Sequence, residues 1–70
     1  MRFDVFGRTL LLERTSAGWE VFFVSAEGKR RQAEDLVVPQ AITEEELEQW
    51  LFDLCHEWAT PKNLKVSRID

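Results

Sequence analysis

One stretch constrains this chain more than any other: Ile42 to Thr60, ITEEELEQWLFDLCHEWAT, the only long helical pattern in 70 residues. Its start is marked chemically. Thr43 followed three residues later by Glu46 is a capping box, in which the Thr hydroxyl and the Glu carboxylate each satisfy a backbone N–H at the helix start. Ile42 before the cap and Leu47 after it are spaced as a hydrophobic staple. Glu44, Glu45 and Glu46 put negative charge at the positive end of the helix dipole. Pro61 sets the stop, because it pushes Thr60 out of the α region. The pattern predicts a helix over about 44–59.

At about 100° per residue, Leu47, Leu51, Leu54 and Trp58 share one stripe, flanked by Trp50 and Cys55. That stripe is expected to pack on a sheet. Gln49, Asp53 and His56 fall on the wet side. Phe52 projects away from the stripe, either over a sheet edge or toward another chain.

The rest of the chain reads as strands. In RFDVF (2–6), Phe3 and Val5 share a face; in RTLLLER (8–14), Leu10 and Leu12 do. The apolar phase switches from odd to even across Gly7, which marks a tight turn or a bulge. A turn cluster, Thr15 to Gly18, leads into WEVFFVS (19–25), with Trp19, Val21 and Phe23 on one face. After a second turn, Lys29 to Gln32 reads as a short polar edge strand, since basic side chains discourage edge-to-edge pairing. Residues 33–41 form a connection in which Leu36, Val37 and Val38 are expected to tuck against the core and Pro39 argues against a central strand. LKVSRI (64–69) closes the chain as a strand, with Leu64 and Val66 inward. The expected fold is two-layer α+β: an antiparallel meander, one helix across it, and a last strand back in the sheet beside the first.

Seventy residues make one domain, which buries only about 60% of its unfolded surface. Three Trp and five Phe are a heavy apolar supply for that size, and three Gly and two Pro argue against disorder. The single cysteine cannot form an internal disulfide and fits a reducing compartment. MRFDVFGR lacks the apolar region of a signal peptide, and no apolar run approaches the roughly 20 residues of a membrane span. These features point to a soluble cytoplasmic protein. The net charge of −4 is uneven. Residues 1–40 carry six basic and six acidic groups, and residues 41–70 three basic and seven acidic. An acidic balance disfavours phosphate backbones, so no nucleic-acid partner is expected.

No catalytic, metal or cofactor motif stands out. Cys55 and His56 are adjacent, so on a helix they point about 100° apart and cannot pair. Asp53 and His56, at i and i+3, offer two metal ligands where zinc takes three or four. HEWAT lacks the second His of HExxH. Glu44, Glu45, Glu46 and Glu48 read as dipole compensation and solubility, with a DNA-mimicking surface as the sharper alternative. Lys29, Arg30 and Arg31 read as a solvated edge, with docking of an acidic partner as the functional alternative.

The anomaly is the second face of the sheet. One helix covers one face, so the opposite positions should be polar. Arg2, Asp4, Thr9, Glu13, Glu20, Lys65 and Ser67 are, whereas Phe6, Leu11, Phe22, Val24 and Ile69 are not. Together with Phe52 these are the candidate interaction residues. A second chain, or residues 33–41 folded beneath, would cover them. The expectation is a non-enzymatic interaction module that forms a homodimer or binds a protein partner. The alternative is a small enzyme or ligand carrier using the Trp-lined seam under the helix.

FDVFGR near the start, HEWATP after the helix and a Trp-initiated strand between them resemble a family of short bacterial proteins of unknown function. The resemblance implies a stand-alone bacterial domain and attaches no functional residue.

Overall fold

The computed structural model describes residues 1–70. Its elements are β1 (Arg2–Val5), β2 (Arg8–Thr15), β3 (Gly18–Val24), β4 (Arg30–Gln32), α1 (Leu47–Leu54) and β5 (Val66–Arg68), with 3-10 turns at Glu44–Glu46 and His56–Trp58. The five strands form one antiparallel sheet in the order β4-β3-β2-β1-β5. The first four make a meander. The helix carries the chain back across the sheet, and β5 pairs with β1, as expected. The architecture is α+β.

The phase switch at Gly7 is a two-residue hairpin. Val5 pairs with Arg8, and the two residues between them are left-handed, Phe6 at φ 51° and Gly7 at φ 88°. Two positive φ values define the hairpin turn whose twist matches its strands. Odd positions of β1 therefore face even positions of β2, and Phe3 lies opposite Leu10 on the core side. The Asp4 carboxylate accepts the Gly7 N–H at 2.9 Å and holds the turn. A Cβ at Gly7 would come within 2.9 Å of the Asn63 side chain.

Phe6 departs from expectation. Alternation continued from β1 puts it on the open face, yet it is 4% exposed and belongs to the core. The left-handed turn ends the period-2 alternation, so the ring swings to the helix side and packs on Phe52, centroids 5.4 Å apart.

The core gathers Phe3, Val5, Leu10, Leu12, Val21 and Val66 from the sheet, Leu47, Leu51 and Cys55 from the helical segment, and Ala33 and Val38 from the connection. The connection closes the helix side. Trp19 Nε1 donates to the Ile42 carbonyl at 2.9 Å, and Gln40 Nε2 donates to the Ser16 carbonyl. It does not fold beneath the sheet, and Val37 turns outward at 69% exposure.

The helical segment begins at the expected cap. Glu46 Oε1 accepts both the N–H and the hydroxyl of Thr43, at 2.9 and 3.0 Å. The first turn is nonetheless 3-10, since the Glu46 N–H bonds back to the Thr43 carbonyl. The α-helix then ends at Leu54 instead of running to Ala59. Cys55 leaves helical geometry at φ −109°, ψ 14°, and a 3-10 turn follows. That tighter turn changes the angle per residue. Leu54, expected in the stripe, is left 38% exposed, whereas Trp58, from the 3-10 turn, packs half-buried on Phe23 of β3. Leu64 is also out, at 61%, because β5 starts only at Val66 after the Thr60–Asn63 turn. No helix is long and apolar enough to cross a membrane.

Candidate protein-interaction surface

The antiparallel registers determine which apolar positions meet on the face away from α1. Leu11 lies directly opposite Phe22, Arg2 opposite Leu11, Phe22 opposite Gln32 and Val24 opposite Arg30. Ile69 follows β5 beside Arg2, donating its N–H to the Arg2 carbonyl at 3.0 Å. Of the six residues expected on an interaction surface, Leu11, Phe22 and Val24 form a contiguous half-buried group and Ile69, 53% exposed, lies at its margin. Phe6 is in the core. Phe52, 41% exposed, stands on α1 above Phe6, in the other layer. The open face is therefore narrower than the sequence suggested, and no element of the chain covers it.

Its aromatic centre carries a polar cap. The Arg30 guanidinium lies 4.7 Å above the Phe22 ring and 3.4 Å from Glu13. Both partners of that ion pair are about half exposed, so it contributes little to stability. The cation over the ring is a modest attraction that orients Arg30.

Around this face the register assembles something invisible in the linear sequence. Arg2 from β1, Arg8 from β2, and Lys29, Arg30 and Arg31 from the β3–β4 hairpin line one broad open groove of about 1090 Å³. Glu27 is its one acidic lining residue. Five of the nine basic residues thus share one end of a chain whose net charge is −4. The sequence flags only the run 29–31; Arg2 and Arg8 join it through strand pairing.

On the helix side the same end is built of stacked rings and cations. Trp58 packs on Phe23 at 5.8 Å, Arg8 lies 4.4 Å over Trp58, and Arg31 lies 5.3 Å over Phe23. Trp58 reaches this stack from the 3-10 turn that follows α1. A smaller trough beside it is lined by Leu36, Leu54, Trp58 and Arg31 together with Glu34, Asp35 and Glu57.

The candidate chemical groups are dispersed. Cys55 is buried, and its burial pushes the thiol pKa up, with Arg8 pulling weakly the other way. A protonated thiol is a poor nucleophile. His56 Nδ1 lies 3.0 Å from the Asp53 carbonyl oxygen, which only accepts, so that nitrogen carries the proton. The Asp53 carboxylate instead accepts from Gln49 at 3.1 Å. No three His, Cys, Asp or Glu side chains converge as a group that could hold a metal ion.

A family described as a domain of unknown function, DUF7661, matches residues 1–70. The chain belongs to this family. No curated protein and no solved structure matches it. The expected membership of a family of unknown function is met. In this DUF7661 chain the function must be argued from the surface itself.

Proposed function

We infer that this DUF7661 chain is a non-enzymatic interaction module that docks another polypeptide on the open face of its sheet. The observation that carries the reading is the Leu11–Phe22 pair, an apolar cross-strand contact at the centre of a face that no element of the chain covers. Aromatic and apolar side chains in that setting are the usual anchors of protein interfaces, and Arg is the charged residue enriched beside them. A small domain with a limited core gains from burying such a face against a partner. The surroundings are open and shallow, whereas catalytic sites gather convergent polar groups in a concavity. The Trp-lined seam supports a ligand carrier less well, because Trp19 is tied to Ile42, and Trp58 lies between Phe23 and Arg8. A buried free thiol fits the bacterial cytoplasm, the setting that the FDVFGR and HEWATP strings suggest.

The test is Phe22→Glu. The ring is partly exposed and lies outside the core cluster, so the substitution should leave the circular dichroism spectrum and cooperative unfolding intact. It should abolish association, measured by sedimentation for self-assembly and by titration calorimetry for a partner. A wild-type chain that is monomeric at about millimolar concentration, the weak end of the affinity scale, would remove the homodimer. A Phe22→Glu chain that unfolds would place Phe22 in the core and overturn the reading.

A further inference from the structure

The geometry points to a specific occupant: an extended segment of another protein, alternating acidic and apolar residues, added as a sixth strand along β4. This rests on the reading of the open face as a docking surface and says how that surface is approached.

The first observation is a free backbone edge. β4 is the terminal strand of the sheet. Ser25 N–H bonds to the Lys29 carbonyl, and Ala33 N–H bonds to the Val21 carbonyl. In an antiparallel pair, bonded residues alternate with outward-facing ones. Lys29, Arg31 and Ala33 therefore turn their backbone groups toward β3, and Arg30 and Gln32 turn theirs outward. A three-residue edge with two outward residues can accept a short added strand, the backbone mode of peptide recognition.

The second observation is what lies on either side of that edge. Strand side chains alternate between faces. On the open face an added strand would meet Arg30 and Gln32, with Phe22 and Val24 behind them. On the helix face it would meet a trough of Leu36, Leu54 and Trp58 that Arg31 and the carboxylates of Glu34, Asp35 and Glu57 also line, so acidic side chains are disfavoured on that side. Leu54 is available there because α1 ends early, and the stacked Trp58 ring forms the wall beside it. The two sides thus favour acidic side chains at one set of alternating positions and apolar ones at the other.

Charge selects the occupant. A second copy of the chain paired antiparallel through β4 would bring two Lys29-Arg30-Arg31 runs together, and like charges across strands are destabilising. Nucleic acid would meet the groove but gain nothing from the free backbone edge or the apolar trough. It would also meet the field of an acidic chain.

The probe is a synthetic seven-residue peptide alternating Glu with Val or Ile, blocked at both ends, titrated into the full chain. Saturable binding is expected, with the Arg30 and Gln32 amides slowing in hydrogen exchange by about tenfold or more as they gain partners. Affinity should fall several-fold between about 50 and 300 mM salt, as the Debye length shortens. Arg30→Glu should weaken binding at least about tenfold, a loss consistent with one charge-assisted contact reversed in sign. Arg68→Glu, on the far edge strand, should not. Equal binding of the same peptide with Lys in place of Glu would overturn the proposal. So would protection on β5, tighter binding of a 12-nucleotide single-stranded DNA, or self-association that Arg30→Glu strengthens. Loss of the peptide result alongside association that Phe22→Glu still abolishes would refute the added strand and leave the docking face standing.

Discussion

Phe6 offers a test in which two terms of opposite sign can be separated. It is a bulky residue held at φ 51° and is 4% exposed. Left-handed backbone costs a non-glycine residue roughly 1–2 kcal/mol, so the packing of its ring must outweigh that strain. Phe6→Ala removes the ring and its contact with Phe52, at an expected cost of about 3–5 kcal/mol. It keeps the strain. Phe6→Gly removes the same ring but relieves the strain, recovering roughly 1–2 kcal/mol, against roughly 0.5–1 kcal/mol of extra backbone entropy in the unfolded chain. The glycine variant should therefore be the more stable of the two by about 0.5–1 kcal/mol. That inverts the usual order, in which alanine stabilises relative to glycine. A chain of this size has only about 3.5–10 kcal/mol of total stability. The two variants are therefore best compared by urea unfolding in a stabilising sulfate buffer. With an m-value near 1 kcal/mol/M, the glycine midpoint should lie about 0.5–1 M higher. An alanine variant equal to or more stable than the glycine variant would refute the left-handed assignment and, with it, the account of why Phe6 leaves the open face.

Two further outcomes follow from the core and the cap. Leu51→Ala, at a fully buried position, should cost about 2–5 kcal/mol, and Leu54→Ala clearly less than half of that, because its side chain already meets water; equal losses in chemical denaturation would restore the longer helix. Hydrogen bonds from the Thr43 backbone and then its hydroxyl hold the Glu46 pKa below its ordinary value of 4.5, and the Arg2 backbone N–H does most to lower that of Asp70. A depressed carboxylate contributes stability above its unfolded pKa and loses it as pH falls through the folded one. Unfolding free energy should therefore decline below about pH 4.5, the ordinary carboxylate range, and Glu46→Gln should flatten that decline; an unchanged slope would show that the cap does not depend on the charge.

Local chemistry made several features legible in the sequence. The odd-to-even switch across Gly7 marked a turn or a bulge, because side chains alternate with period two and either one shifts the phase; the positive φ values of Phe6 and Gly7 make it a two-residue hairpin. The Thr43–Glu46 pair located the helix start, since capping is a contact three residues long. The basic run at 29–31 marked an edge strand, and a helix that carries the chain back across the sheet placed the last strand beside the first. What failed lay beyond local periodicity. Phe6 left its expected face because positive φ ended the alternation there, and nothing in FDVFGR states the direction of the ring. Leu54 left the stripe because the helix yields to a 3-10 turn after it, while Trp58 still packs on the sheet, at Phe23. The basic groove is the clearest product of tertiary structure. Arg2, Arg8 and Lys29–Arg31 lie up to 29 positions apart along the chain, while Coulomb interaction depends on distance through space, which the strand register alone decides.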